Sequence, residues 1–275
     1  MKIAEMKTVA QETLADFIRV MPDVPFTMND IIIEFAQKGK LVERFAALCA
    51  VCCPRRVLNE AQQQNLSETV RGNAIIGEDK SAVIFRVDYK LPEEALREVM
   101  LHEFMHIFCA KNEVDGEHFI DIYGNGLTID DDDYADAGYH LWSEFIAQHY
   151  AMVHCETMEP SFEMAQGFIF DYICEVVVGK VSAKDNLAQV FARLLNCSDF
   201  EEVLARIEND PEFFFIDSEK FGEQARQSFL RILRYLRDML NREKPWKIDL
   251  EQMLDLGELY TGFLALNTAF LLGAA

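Results

Sequence analysis

The sequence predicts an α+β fold that is mostly helical, with a small β-sheet or hairpin and a helical C-terminal region. Apolar residues recur at helical spacing over most of the chain. Two short runs of β-branched and aromatic residues, 73–77 and 81–89, are separated by Glu78, Asp79 and Lys80, which is typical of a hairpin. With 275 residues, of which 50% are hydrophobic, the chain is long enough for one large domain or two modest ones.

Residues 1–72 are predicted to be a helical N-terminal part, because apolar residues have helical spacing over 14–21 and 31–51. In the second run of the hairpin, apolar residues alternate with a mixed set, which predicts one apolar face. The hairpin and the helices after it, residues 73–155, complete a first domain that covers 1–155. Residues 156–275 form a helical C-terminal region, which either stands apart or packs with the first domain as one unit.

Two helices are predicted after the hairpin. The first begins near Pro92, which suits a first helical turn, and ends near Lys111. It is apolar nearly all round, so we expect it to be buried. The second runs from about residue 137 to 155 and follows an acidic connection with a short strand at 118–123. The acidic run Asp130–Asp133 lacks the ligand spacing of a calcium loop and is interpreted as a solvated loop.

The first of these helices contains the run HEFMH. His102 and His106 are four residues apart, so their side chains lie on one helical face and can reach a single ion. Glu103 is next to His102, where a carboxylate can take a proton from a metal-bound water. This is the H-E-x-x-H arrangement of metallopeptidases. Buried imidazoles and carboxylates are costly without a partner, and a bound metal ion would satisfy them.

A catalytic zinc site needs a third protein ligand and leaves one position open for water. Glu144 is the best candidate, because it lies in the middle of the second apolar helix, where an unpaired carboxylate is costly to bury. His140 and Gln148 flank it at minus four and plus four, on the same helical face. Gln148 is therefore placed to orient a liganding histidine.

These residues resemble a known family. A HExxH helix after a small sheet, followed by a helix with the pattern E-x-x-A-Q-x-Y-A from Glu144 to Ala151, is similar to the gluzincin zinc metallopeptidases. Over about residues 74–155 it is nearest the minimal metallopeptidases of the ImmA/IrrE type. The resemblance implies a zincin-like core, a Zn2+ cofactor, a cytoplasmic location and cleavage of peptide bonds. It also implies Glu103 as the catalytic base and His102, His106 and Glu144 as the metal ligands.

Other ligands stay open at this point. Cys109 lies three residues after His106 and can reach the same helical face. Four residues of the acidic connection could ligate instead, namely Asp115, Glu117, His118 and Asp121. All six histidines fall between His102 and His154, so no histidine of the C-terminal region can stabilise an oxyanion. That role falls to His118, to His140, or to a tyrosine or arginine, of which Tyr123 and Tyr139 are nearest.

The charge balance limits the partners. The chain has 26 Lys and Arg against 47 Asp and Glu, whereas nucleic-acid phosphates are bound by clustered cations. We therefore expect no nucleic acid as a partner, while the resemblance to metallopeptidases implies a peptide or protein substrate. The N-terminus has no signal-peptide core, and an odd number of cysteines, seven, favours a reducing compartment. The apolar segment 256–275 is expected to dock into the core rather than to enter a membrane.

Two further patterns favour structural roles. Cys49 and Cys52 form a C-x-x-C without a second pair, which favours two buried helix cysteines. A stripe of arginines on one C-terminal helix is interpreted as a solvated face first and a partner surface second. The members of this arginine stripe are Arg226, Arg231, Arg234 and Arg237.

The leading hypothesis is thus a zinc-dependent hydrolase, in particular a peptidase, in which Glu103 activates water at the metal. The alternative is a non-catalytic zincin-like module that binds or regulates another protein and has a structural metal or none.

Overall fold

The computed structural model describes residues 1–60, 63–64, 66, 71–87, 92–112, 127–155, 162–177, 183–197, 199–209 and 218–271. The chain divides into two compact units, Met1–Glu113 with Tyr150–Thr157 and Val114–His149 with Met158–Ala275. The predicted α+β class is confirmed, because helices dominate and one three-stranded sheet is present among the described residues. The strand predicted at 118–123 lies outside them.

The first unit contains α1 (Ile3–Val20), β1 (Ile31–Ala36), α2 (Leu41–Cys52), β2 (Gly72–Ile75), β3 (Ser81–Arg86) and α3 (Glu93–Lys111). Helix α4 (Ile129–Cys155) belongs to the second unit up to His149 and to the first unit from Tyr150. The second unit continues with α5 (Phe162–Val177), α6 (Ala183–Leu195), α7 (Phe200–Asn209), α8 (Ser218–Leu240) and α9 (Leu250–Leu271).

The sheet has the strand order β1-β3-β2. Strands β2 and β3 pair antiparallel, with Gly72 opposite Phe85, so the predicted hairpin is confirmed. Strand β1 pairs with β3 in parallel, with Ile31 opposite Ser81. The prediction of a helix that begins at residue 31 is therefore wrong over 31–36. A short apolar run suits a buried strand as well as a helix, and here a distant pairing partner decides.

Strand β3 is buried at every position, because it is the central strand and both faces of the sheet are covered. On one face, Ile75, Ala82 and Ile84 pack in a cluster with apolar side chains of α2. The other face, which includes Gly72 and Phe85, lies against α3. The alternation along β3 predicts only one apolar face, whereas a central strand needs both faces to be covered.

Helix α3 is buried, as its all-round apolar sequence predicts. Phe104 and Phe108 have 0% of their surface exposed. Phe17 of α1 contacts both of them, with the ring centroids 6.0 Å apart in each case. Nearer the start of α3, Arg97 donates a hydrogen bond of 3.1 Å to the hydroxyl of Thr13 in α1. Aromatic packing and this polar contact together hold α3 against α1.

Helix α4 begins at Ile129, so the acidic run Asp130–Asp133 forms its first turn, and the interpretation as a solvated loop is wrong. The hydroxyl of Thr128 accepts a hydrogen bond of 3.2 Å from the backbone nitrogen of Asp131. In return, the Asp131 carboxylate accepts one of 2.7 Å from that hydroxyl. Negative side chains are stabilised here because a helix begins with the positive end of its dipole.

The arginine stripe of α8 binds helix α7 of the same unit. Arg226 donates to the backbone oxygen of Glu208 at 2.9 Å, and Arg234 donates to its carboxylate at 2.8 Å. Arg237 donates to the carboxylate of Glu201 at 3.1 Å. The interpretation of this stripe as a solvated face is therefore corrected, because three of its members hold two helices of one unit together.

Helix α9 contains most of the segment that is predicted to dock into the core. Its residues Leu256, Tyr260 and Phe263 are each 1% exposed or less, so this part of the prediction is confirmed. Within the part of the chain that the structure describes, no helix combines the length and the apolar character that crossing a membrane requires.

Candidate metal centre

Helix α3 brings His102 and His106 together. Their Nε2 atoms lie 3.0 Å apart, with ring centroids separated by 4.7 Å and ring planes at 80°. Two nitrogens bound to one tetrahedral zinc ion, each at about 2.0–2.1 Å, lie roughly 3.3 Å from each other. The two Nε2 atoms thus lie within hydrogen-bonding distance of each other, slightly closer than two nitrogens that bind one zinc ion.

Glu144 of helix α4 completes a group of three. His102, His106 and Glu144 each offer one ligand atom, and these atoms all lie within 4.8 Å of one another. All three residues are half-buried. The residues that the sequence singles out as ligands thus lie together and could bind a metal ion. Among the described residues, no other group of three His, Cys, Asp or Glu meets this distance.

The chemistry of the donor atoms indicates which ions fit. Two imidazole nitrogens and one carboxylate oxygen suit zinc and other late first-row divalent ions, whereas calcium and magnesium prefer sites made of oxygen atoms alone. Three protein ligands would leave one open position on a tetrahedral ion. The residues present therefore fit a transition metal ion that keeps an exchangeable position.

The local sequence of α4 explains why Glu144 is held in place. Trp142 and Phe145 beside it are 0% exposed, and Ile146 is 1% exposed, so apolar side chains anchor the helix on both sides of the carboxylate. Gln148, one turn further along, is 7% exposed and lies on the same helical face as Glu144. The buried amide of Gln148 therefore provides a polar group one helical turn from the Glu144 carboxylate.

Glu103 follows His102 in α3 and is more deeply buried than the three ligands, with 7% of the residue exposed. It packs against strand β2 at the edge of the sheet. A Cβ added to Gly72 would lie 3.0 Å from Cγ of Glu103 and 3.1 Å from its Oε1. The carboxyl group therefore lies directly over the backbone of β2.

Cys109 does not join the group of three. It is buried at 2% exposure, and burial raises the pKa of its thiol far above the ordinary value. A cysteine binds metal as the thiolate, which this environment disfavours. The rival ligands of the acidic connection lie outside the described residues; they are Asp115, Glu117, His118 and Asp121.

The remaining candidates for an oxyanion donor differ in their surroundings. His140 is exposed, and its Nε2 lies 3.3 Å from a carboxylate oxygen of Asp136. The ring of Tyr139 is half-buried, with its centroid 5.9 Å from that of His140 and 6.4 Å from that of Trp142. Tyr123 and His118 lie outside the described residues.

The two cysteines of the C-x-x-C do not belong to the group of three candidate ligands. Cys49 and Cys52 are buried free thiols in helix α2, as the sequence predicts. Burial raises the pKa of both thiols. Burial thus disfavours the thiolate form that reacts and binds metal, which fits a role in packing.

Gly72 is the residue of this region that sequence reasoning misses. A glycine inside a strand often marks a place where another group approaches the backbone closely. That signal is present in the run R-G-N-A-I, but it does not say which group approaches.

The placement of these four side chains limits what the site could do chemically. His102, His106 and Glu144 could hold a metal ion, and Glu103 follows one of these residues in the sequence. In comparisons with family models, with curated proteins and with solved structures, the chain matched none.

Proposed function

We propose that the protein is a zinc-dependent hydrolase that cleaves peptide bonds, with His102, His106 and Glu144 as the metal ligands. The observation that carries this proposal is the convergence of three ligand atoms within 4.8 Å of one another. Two histidines and one glutamate are a known ligand set of catalytic zinc. Glu103, adjacent to His102 in the sequence, adds a carboxylate that the metal does not need as a ligand.

A zinc ion bound here would supply a Lewis acid and lower the pKa of a coordinated water. The protein's own groups account for the proton transfers. Glu103 accepts the proton of the attacking water and later passes it to the leaving amine. Gln148 lies on the same face of α4 as Glu144, where its amide is suited to fix the orientation of a liganding imidazole.

The proposed substrate is a peptide or protein, in keeping with the H-E-x-x-H pattern. The net charge of the chain is -21, which attracts cationic molecules and repels polyanions. Peptides rich in Lys and Arg are therefore the first substrates to test.

A second function is favoured by one observation, the burial of Glu103. A general base has to reach the water that it deprotonates, and only 7% of this residue is exposed. A buried carboxylate beside two histidines also suits a structural metal site in a protein that binds or regulates another protein. Such a protein would hold zinc without cleaving peptides.

Metal analysis and a peptide screen separate the two functions. The metal content of the purified protein is measured by mass spectrometry, and the protein is incubated with basic and acidic sets of quenched fluorescent peptides. The hydrolase proposal expects bound zinc, and cleavage that a chelator abolishes and added zinc restores. Zinc without cleavage would favour the structural metal site. A protein that neither binds zinc nor cleaves peptides would contradict both.

A further inference from the structure

Gly72 and Glu103 are so close that a side chain on residue 72 would force a neighbouring group to move by a few tenths of an ångström. A Cβ on Gly72 would lie 3.0 Å from Cγ and 3.1 Å from Oε1 of Glu103, and 3.0 Å from Cδ1 of Phe85. Carbon atoms in ordinary contact are about 3.5–4.0 Å apart. Any other residue at position 72 would therefore press on the side chain of Glu103.

The backbone conformation does not explain the glycine. The φ angle of Gly72 lies outside the left-handed region, so an L-residue could adopt it. Gly72 also pairs with Phe85 in a regular antiparallel register. The need for a glycine therefore comes from the space above the strand, where Glu103 lies.

The other neighbours of this space are fixed by packing. Phe85 is 1% exposed, and the centroid of its ring lies 5.5 Å from the ring centroid of Phe35. Helix α3 is anchored by Phe104, which is 0% exposed, next to Glu103 in the sequence. A close-packed core resists movement of Phe85 or of helix α3, whereas the side chain of Glu103 has several torsions that can change. A methyl group on residue 72 would therefore displace the carboxylate of Glu103 before it displaced the sheet or the helix.

We propose that Gly72 is a positioning residue that sets the place of the Glu103 carboxylate by leaving the space above strand β2 empty of a side chain. The inference rests on the proposed function, because it assigns Glu103 a role in proton transfer. A misplacement of about 1 Å in a reacting group can lower a rate roughly a hundredfold. A shift of a few tenths of an ångström is expected to have a smaller effect, about tenfold.

A double-mutant cycle tests the contact without an assay of activity. The melting temperatures of Gly72→Ala, Glu103→Ala and the double variant are compared with that of the wild type. Gly39→Ala is the control, because a Cβ at Gly39 meets nothing within 4 Å. We expect Gly72→Ala to lower the melting temperature when Glu103 is present and to lower it less when residue 103 is alanine. Equal shifts in the two backgrounds would overturn the proposal.

A second measurement separates positioning from a general loss of structure. Zinc affinity is measured by competition with a chromophoric chelator, and kcat and KM are measured on a peptide from the screen. We expect Gly72→Ala to keep its zinc affinity and KM and to lose about tenfold in kcat. In the Glu103→Gln background the same substitution should cause no further loss of kcat.

The outcomes distinguish this inference from the proposed function. A tenfold loss of zinc affinity in Gly72→Ala, or an equal loss of kcat in the Glu103→Gln background, would show that Gly72 acts on the fold and not through Glu103. If the wild type binds zinc but cleaves no peptide, the proposed function fails, and the melting-temperature cycle still decides whether Gly72 positions Glu103.

Discussion

Gly138 of helix α4 and Gly257 of helix α9 face each other where the two helices cross. A Cβ on Gly138 would lie 2.8 Å from the backbone nitrogen of Gly257 and 2.0 Å from the backbone oxygen of Met253. A Cβ on Gly257 would lie 1.8 Å from the backbone oxygen of Tyr134. The helices thus touch backbone to backbone, and this crossing holds the segment of α4 that carries Glu144.

Alanine at Gly257 is expected to destabilise the protein. Its methyl group would have to push two backbones apart, and such overpacking costs about 1–3 kcal/mol of unfolding free energy. Chemical denaturation measures the change. The control is Gly262→Ala in the same helix, where a Cβ would meet nothing within 4 Å. There we expect a gain of roughly 0.5–1 kcal/mol, because alanine is the better helix former. Equal stability of the two variants would contradict the close crossing.

Glutamine at Glu103 tests the proposed general base. The amide has nearly the same shape, so zinc binding is expected to persist, while peptide cleavage falls by about 10²–10⁴-fold because the proton acceptor is lost. Zinc content and kcat are measured on the same preparation. Glu94→Gln, a change at an exposed carboxylate in the first turn of the same helix, serves as the control. A Glu103→Gln variant that cleaves at the wild-type rate would rule out the mechanism.

Zinc is expected to stabilise the folded protein through the three ligands. An ion that binds only the folded state adds about 2.7 kcal/mol at a free concentration of 100 times its Kd. Zinc added to chelator-treated wild type should therefore raise the melting temperature, and His106→Ala and Glu144→Gln should lose this rise. His154→Ala, a change at an exposed histidine near the end of α4, should keep it. A full rise in both ligand variants would mean that zinc binds elsewhere.

Cys109 is expected to limit stability at alkaline pH. Burial raises the pKa of its thiol well above the ordinary 9.0, so the folded protein keeps a proton that the unfolded chain loses above about pH 9. The unfolding free energy is unaffected by this group below that pH. Above it, the free energy falls by up to about 1.4 kcal/mol per pH unit. Denaturation of wild type and Cys109→Ala across this range should give a smaller slope for the variant. The same slope in both would contradict this role.

The ligand group could be found from the sequence because its signals are local. His102 and His106 lie one helical turn apart, and a helical face needs no knowledge of the rest of the chain. Glu144 stands out because it is a carboxylate within an apolar helix. The contact between Gly72 and Glu103 could not be found in this way, since it joins a strand to a helix by a fit of shapes.

The missed elements share a dependence on distant partners. The run from Ile31 to Ala36 is apolar enough for a helix or a strand, and only its pairing with β3 makes it a strand. The arginine stripe of α8 looks solvated until Glu201 and Glu208 of α7 are placed beside it. The acidic run at the start of α4 differs from these two, because its capping partner Thr128 is local and gives only a weak signal in the sequence.

The parallel pairing of β1 with β3 limits how the candidate metal centre could be isolated as a fragment. A piece of the chain that begins at residue 74 keeps HEFMH and Glu144 but lacks β1, and it also lacks Gly72 beneath Glu103. One side of β3 would then expose backbone groups to any neighbouring chain, as edge strands that aggregate do. The shortest fragment that keeps both the sheet and the candidate metal ligands therefore begins before Ile31, well upstream of His102.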